Sequence, residues 1–297
     1  MIVNGNALRL PLADNSVQCC VTSPPYWNLR DYGTDAQLGL EPTPEAYVAN
    51  MVAVFREVWR VLRKDGTLWL NLGASYAGSG KGHTKSGTLV GYKQATNHGS
   101  TTGQPAARLD DFKPKDLVPI PWMTAMALQQ DGWYLRSDII WAKSNPMPES
   151  VRDRPTTSHE YLFLLTKAAR YYCDMRAIAE PAQPFHVCGP NSRANVDRTV
   201  EHGTRKQDAI GKGRYTGFNE RYRDNPVATR NKRDVWTISV RPFSGAHFAT
   251  MPVDLVEPCI LAGSRPGDVV LDPFAGAGTV GLVASRLGRR HIGVELS

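Results

Sequence analysis

Asp268-Val269-Val270-Leu271-Asp272-Pro273-Phe274-Ala275-Gly276-Ala277-Gly278-Thr279-Val280-Gly281 combines a short apolar run, a proline turn and a series of glycines. That order predicts a buried strand over 268–271, a turn that exposes its backbone, and a helix over 280–287 closed by Gly288. A further strand follows over 291–294. Gly276 to Gly281 fits G-x-G-x-x-G, and Glu295 stands 19 positions after Gly276, where a ribose-binding carboxylate belongs. Taken alone, the glycines would suggest NAD and an oxidoreductase. In the dinucleotide pattern, however, the glycines follow the strand directly and pyrophosphate meets a helix N-terminus. Here Asp272, Pro273 and Phe274 intervene. A carboxylate at the strand tip repels pyrophosphate and attracts an ammonium or sulfonium, so S-adenosylmethionine is the better ligand. Asp272 would complement its amino-acid end, Glu295 would accept from its ribose, and Phe274, Gly276, Gly278 and Thr279 would form its cradle. The plain alternative is a structural glycine turn in an unrelated fold.

The second informative stretch is Thr22-Ser23-Pro24-Pro25-Tyr26-Trp27, after the apolar run at 17–21. The run reads as a strand buried on both faces of a parallel sheet. Pro24 and Pro25 lack N–H groups and hold the chain extended, ending the pairing. The Ser23 hydroxyl, the Ser23 and Pro24 carbonyls and the Tyr26 ring then form a rigid array. Its oxygens can accept the two N–H bonds of a planar amine while the ring covers the amine's face. By itself such a motif is also what a strand followed by a Pro-Pro turn looks like.

Outward from these two stretches the chain alternates strand and helix. A first strand is expected at 2–3. Thr43 is expected to cap a helix with Pro44 in its first turn, running to Leu62 and ended by Lys64-Asp65-Gly66. Strands are expected at 67–72, 133–141 and 160–166, helices at 121–130 and 252–262, with Gly263 as the stop of the second. Residues 170–173 read as a strand or hairpin. The result is an α/β fold of the Rossmann-like kind, with a largely parallel sheet. Two segments lack periodicity. Residues 73–115 are rich in Gly, Ser and Thr with Lys81 and Lys85, and read as a mobile loop over a substrate. Residues 193–234 carry eleven Lys/Arg against six Asp/Glu, a net +5, interleaved with Tyr215, Phe218 and Tyr222. Basic and aromatic residues together suit phosphate contacts and base stacking. A solvated basic insertion would have the same composition.

The whole chain, 297 residues with a formal charge of +7, is long enough to bury its own core and points to a polyanionic partner. No run reaches the roughly 18 apolar residues of a membrane span, and the amino terminus shows no secretory pattern. Five cysteines without C-x-x-C spacing argue against disulfides and a zinc site and fit a reducing cytoplasm. Cys259 follows a proline, as in enzymes that methylate a ring carbon through a thiolate. It falls in an apolar helical pattern with Leu255, Val256, Ile260 and Leu261, which assigns it to the core.

TSPPYW, DGTLWLNLG, GWYLRSDIIWAKSNPMPES, HEYLFLLTK, HFATMP, DVVLDPFAGAGTVG and HIGVEL together resemble the beta-class DNA amino-methyltransferases. The resemblance implies a circularly permuted S-adenosylmethionine-dependent methyltransferase fold. Its catalytic half would lie over 1–180, a target-recognition insertion over 181–235 and its cofactor half over 236–297. It implies methyl transfer to the exocyclic amine of a base flipped out of double-stranded DNA, with Ser23, Pro24, Pro25 and Tyr26 catalytic and Tyr26 as stacking platform. Members with Ser at position 23 tend to act on cytosine N4, and adenine N6 is the nearest rival. Asn6, where relatives place an Asp, would accept from the cofactor's adenine amine, while Phe248 and Thr250 would line its methionine side. DNA contacts are expected from Trp27, Arg30, Lys81, Lys85, Arg205, Lys206, Lys212, Arg214, Arg221 and Arg223. A restriction endonuclease counterpart and residence in a bacterial or phage-infected cytoplasm follow from the same resemblance. A non-catalytic nucleic-acid-binding protein, or a methyltransferase acting on RNA or a protein amide, would share much of this chemistry.

Overall fold

The computed structural model describes residues 1–30, 37–77, 111–182, 229–240 and 251–296. Two compact units are present, one of residues 1–177 with 233–297 and one of residues 178–232. In the first, β1 (Ile2–Asn4), β2 (Val17–Thr22), β3 (Leu62–Leu72), β6 (Tyr134–Ala142), β7 (His159–Thr166), β10 (Val235–Thr237), β11 (Val269–Asp272) and β12 (Arg290–Glu295) form one sheet, in the order β1-β12-β11-β2-β3-β7-β6-β10. β7 runs antiparallel to both its neighbours, and the other pairs are parallel. A small ladder of β4 (Ser75–Tyr76) and β5 (Leu117–Val118) closes the two ends of the glycine-rich segment. Residues 78–110 lie outside the described part. In the second unit β8 (Glu180–Pro181) pairs with β9 (Thr229–Arg230), supported by an Arg230–Glu180 ion pair at 2.9 Å.

Among the described residues, four helices cover the sheet: α1 (Pro44–Val61), α2 (Ile120–Gln130), α3 (Val253–Gly263) and α4 (Thr279–Arg286). Thr43 caps α1, its hydroxyl accepting from the Ala46 N–H at 3.2 Å, and Tyr47, Met51, Val54, Phe55 and Val58 form the buried stripe. From β11 the chain crosses through α4 to β12 on one side. From β2 it crosses through α1 to β3 on the other. The strand order therefore reverses between β11 and β2, and in open α/β sheets ligands bind at such a switch point, outside the carboxyl ends of the strands.

Three expectations about local structure are corrected. α1 ends at Val61, one residue short of the expected Leu62, and its stop is set not by Lys64-Asp65-Gly66 but by other chain segments that satisfy the carbonyls at its end. Asn15 N–H donates to Arg60 O, Ser16 N–H to Val61 O, and Lys167 Nζ to Leu62 O at 2.6 Å. Gly66 instead lies where the β2–β3 register shifts, and a Cβ added there would come within 3.0 Å of Gln18 O. Residues 170–173 form no strand. They are tied by single bonds, with Tyr172 N–H donating to Asp65 O and Asp174 N–H to Ala262 O. Gly263 does not stop α3 by a left-handed turn. It is the last helical residue, and an added Cβ would lie 2.6 Å from Thr67 Oγ1, 2.7 Å from Cys19 Sγ and 2.9 Å from Trp69 Nε1. Its small size lets α3 approach β2 and β3 where all three are buried. Gly263→Ala is expected to destabilise the fold by about 1–3 kcal/mol through overpacking. A lower urea midpoint at unchanged slope would show this, and an unchanged midpoint would contradict it.

Candidate active site

β2 is buried along its whole length, and its last residue brings the Ser-Pro-Pro-Tyr turn to the sheet's carboxyl edge. β11 pairs directly with β2, placing Asp272 beside that turn. The Thr22 hydroxyl donates to Asp272 Oδ1 at 2.7 Å, and the Phe274 N–H donates to the same oxygen at 3.1 Å. Among the described residues neither bond uses Oδ2. Burial pushes the Asp272 carboxyl up to about 7; the bonds from Thr22 and Phe274 oppose that rise, and the nearby Glu295 adds to it.

The glycine turn is open to a ligand. Gly276 and Gly278 hold φ values of +46° and +74°, and an added Cβ at either would meet nothing closer than 3.9 Å. Gly278 leads into α4, where Thr279 is the first residue. The third glycine has a packing role, since a Cβ at Gly281 would strike the His291 ring at 2.6 Å. Glu295 holds the turn from β12, its Oε2 accepting the Gly276 N–H at 2.7 Å. Phe274 is half-buried against the core. Two carboxylates and a bare glycine backbone on one rim suit a cation that also carries hydroxyls and do not suit pyrophosphate. These residues therefore fit S-adenosylmethionine.

Across the switch point, the turn after β2 is fixed from behind. Pro25 O accepts the Tyr47 hydroxyl at 2.9 Å, which anchors the turn to α1. The Tyr26 ring lies over Gly73, where a Cβ would come within 2.7 Å of Cε2. Its hydroxyl lies 2.6 Å from Glu160 Oε2 and 3.1 Å from Asn71 Oδ1. Burial and the Glu160 carboxylate raise the phenol well above its ordinary range, with a weaker hydrogen-bonding contribution from the Ser23 side chain opposing them. Glu160 is in turn paired with Lys143 at 2.5 Å.

One placement corrects the sequence reading. Trp27, expected to face DNA, is only 4% exposed, and its indole N–H donates to Glu41 O. It packs behind the turn because its ring joins the core under α1. Asn6 Oδ1 accepts the Leu8 N–H at 2.8 Å, which orients the amide and leaves its second lone pair for the expected adenine amine. Arg30 is half-buried just beyond the motif. Phe248, Thr250, Lys81, Lys85, Arg205, Lys206, Lys212, Arg214, Arg221 and Arg223 lie outside the described residues. Thr22, Tyr47, Asn71, Lys143 and Glu160 were missed. The available signal was polarity out of place: Asn71 and Glu160 interrupt the apolar strands LWLNL and EYLFLL.

The fold and the paired strand-end motifs define an α/β DNA methyltransferase architecture. The family model described as DNA methylase, covering N6- and N4-methyltransferases, matches residues 17–297. The chain is 43% identical to the Type II methyltransferase M.Cfr9I of Citrobacter freundii over 100% of its own length and 83% of that protein's. It is 43% identical to M.SmaI of Serratia marcescens, covering 94% of this chain and 80% of that one. Among solved structures it is similar to the PvuII DNA methyltransferase (cytosine-N4-specific), with a TM-score of 0.61 at 17% identity, covering 100% and 81% of the two chains. It is also similar to a DNA modification methylase from Thermus thermophilus, solved with S-adenosyl-L-methionine, with a TM-score of 0.55 at 24% identity over 100% and 87%. The chain belongs to the DNA methylase family.

The raised Asp272 carboxyl has a definite sign. Between its ordinary value of 3.8 and about 7 the folded protein keeps a proton that the unfolded chain has lost. This group therefore costs stability as pH rises through that window, and a cation bound beside it favours its ionised form. Affinity for S-adenosylmethionine is expected to strengthen as pH rises towards about 7, with protons released on binding below it. Asp272→Asn should weaken binding and flatten this dependence; calorimetry in buffers of different ionisation enthalpy measures both.

Proposed function

We propose that this DNA methyltransferase transfers a methyl group from S-adenosylmethionine to the exocyclic N4 amine of a cytosine flipped out of duplex DNA. The observation that carries the reading is the juxtaposition across β2 and β11. Ser23 and its proline pair end one strand, Asp272 ends the next, and the Thr22–Asp272 bond holds the two tips together. The cofactor supplies an electrophilic methyl on a positively charged sulfur. Asp272 and Glu295 favour that charge, and the Gly276 and Gly278 backbone permits close approach.

The amine of cytosine is a weak nucleophile, because its lone pair is delocalised into the ring. Ser23 Oγ and the Pro24 carbonyl can accept its two hydrogens, favouring a pyramidal nitrogen whose lone pair aims at the methyl. The Pro25 carbonyl is engaged by Tyr47, which holds the turn that presents them. The Tyr26 ring provides the stacking face. Serine at position 23, instead of an acidic residue or Asn, supports cytosine, as does similarity to a structure named cytosine-N4-specific. The Type II names of the relatives support a place in restriction–modification, where methylation protects DNA from a partner endonuclease. Among the described residues no helix is long and apolar enough to cross a membrane.

Incubation of duplex DNA with labelled S-adenosylmethionine followed by nucleoside analysis tests this reading. N4-methylcytosine is expected; N6-methyladenine would move the assignment to adenine, and unlabelled DNA would sink it. Tyr26→Ala should lose about 10- to 100-fold in activity, the equivalent of the roughly 1–3 kcal/mol of a base–aromatic stack, while S-adenosylmethionine still binds. Activity within twofold of wild type would remove Tyr26 from the base wall.

A further inference from the structure

Glu160 and Lys143 lie in the HEYLFLLTK and GWYLRSDIIWAKSNPMPES stretches but have no role in the reaction as described above, yet Glu160 reaches the Tyr26 of the turn. Glu160 is the second residue of β7, facing Trp141 across the β6–β7 ladder, and Lys143 follows the end of β6. Both side chains are largely withdrawn from water, with exposures of 16% and 21%. Lys143 Nζ also lies 4.8 Å above the Trp141 ring. One Glu160 oxygen accepts from Lys143 and the other meets the Tyr26 hydroxyl. A half-buried carboxylate paired in this way is costly to place unless each oxygen is used.

The arrangement fixes a direction of hydrogen bonding. A phenol has one proton and can also accept. Asn71 Nδ2 donates to Tyr161 O at 3.1 Å, which turns its amide oxygen toward Tyr26. Both groups beyond the phenol, Asn71 Oδ1 and Glu160 Oε2, are therefore acceptors. The Tyr26 proton must point at them, most directly at the carboxylate, where the contact is shorter and charge-assisted. With its proton so directed, the phenol is tethered at its tip and the ring is fixed over Gly73.

We propose that Glu160, braced by Lys143, is a positioning residue that fixes the Tyr26 phenol as a donor and thereby holds its ring in place for the target base. The inference rests on the amine-methyltransferase reading and deepens it. Glu160 does not touch the substrate; it acts through Tyr26.

Glu160→Gln keeps the shape but offers the phenol an amide that can donate or accept, and it breaks the pair with Lys143. Single-turnover and steady-state methylation of DNA would be measured for wild type, Glu160→Gln, Tyr26→Phe and the double variant, with S-adenosylmethionine binding measured alongside. Glu160→Gln should lower kcat by about 10- to 100-fold, the scale of a misplaced reacting group, with cofactor affinity within twofold of wild type. In the Tyr26→Phe background the same change should have almost no further effect, because the group through which Glu160 acts is gone. Effects that multiply in the double variant, or a Glu160→Gln kcat within twofold of wild type, would overturn the inference. Should Glu160→Gln fail to fold, Lys143→Met carries the same cycle, with a smaller loss expected alone and none in the Tyr26→Phe background; a loss that persists there would overturn it. Absence of methyl transfer by the wild-type chain is read first, and would remove the methyltransferase reading together with this inference.

Discussion

The hydrogen bond from Thr22 to Asp272, 2.7 Å long and buried, spans 250 positions of sequence and joins the ends of two adjacent strands. The functional arrangement depends on it. β2 carries the Ser-Pro-Pro-Tyr turn and β11 carries the acid and the glycines, and parallel pairing brings both tips to one edge of the sheet. The bond also answers an electrostatic problem. A carboxylate that is 3% exposed, with Glu295 nearby, is costly to ionise. Thr22 and the Phe274 N–H each donate to it, enough to moderate its raised pKa without returning it to an ordinary value. The residual cost is what makes the site receptive to a cation.

The opposite half of the site is held by packing and by acceptors placed around a single phenol. Tyr47 ties the Pro25 carbonyl from below, Gly73 makes room for the Tyr26 ring, and Trp27 fills the space behind the turn. The two halves work differently. The half proposed to hold the cofactor is set by charge and bare backbone, whereas the half proposed to hold the target is set by rigid geometry and the direction of its hydrogen bonds.

Much of this was legible in the sequence because local chemistry decided it. The Thr43-Pro44 start of α1, the buried β2 run and the strand-turn-helix around Asp272 each follow from capping, periodicity or glycine conformation. What failed depended on partners distant in sequence. Gly263 reads as a helix stop, and only contact with Thr67, Cys19 and Trp69 shows it to be a packing residue. Lys64-Asp65-Gly66 reads as the end of α1, whereas Asn15, Ser16 and Lys167 end the helix earlier. Trp27 next to a catalytic motif reads as exposed until its place under α1 is known. Glu160, on β7, and Lys143, just past the end of β6, are 17 positions apart and 134 and 117 from Tyr26, so no spacing rule joins them.

The central claim is that the turn after β2 and the turn after β11 form one site, with the target amine on one side and the cofactor on the other. A crystal structure with duplex DNA and S-adenosylhomocysteine tests it most directly. The expected result is a cytosine outside the helix, its N4 within hydrogen-bonding distance of Ser23 Oγ and the Pro24 carbonyl, with the cofactor's amino-acid end beside Asp272. A cofactor bound away from the Gly276–Gly278 turn, or a flipped base that contacts neither Ser23 nor Pro24, would contradict it.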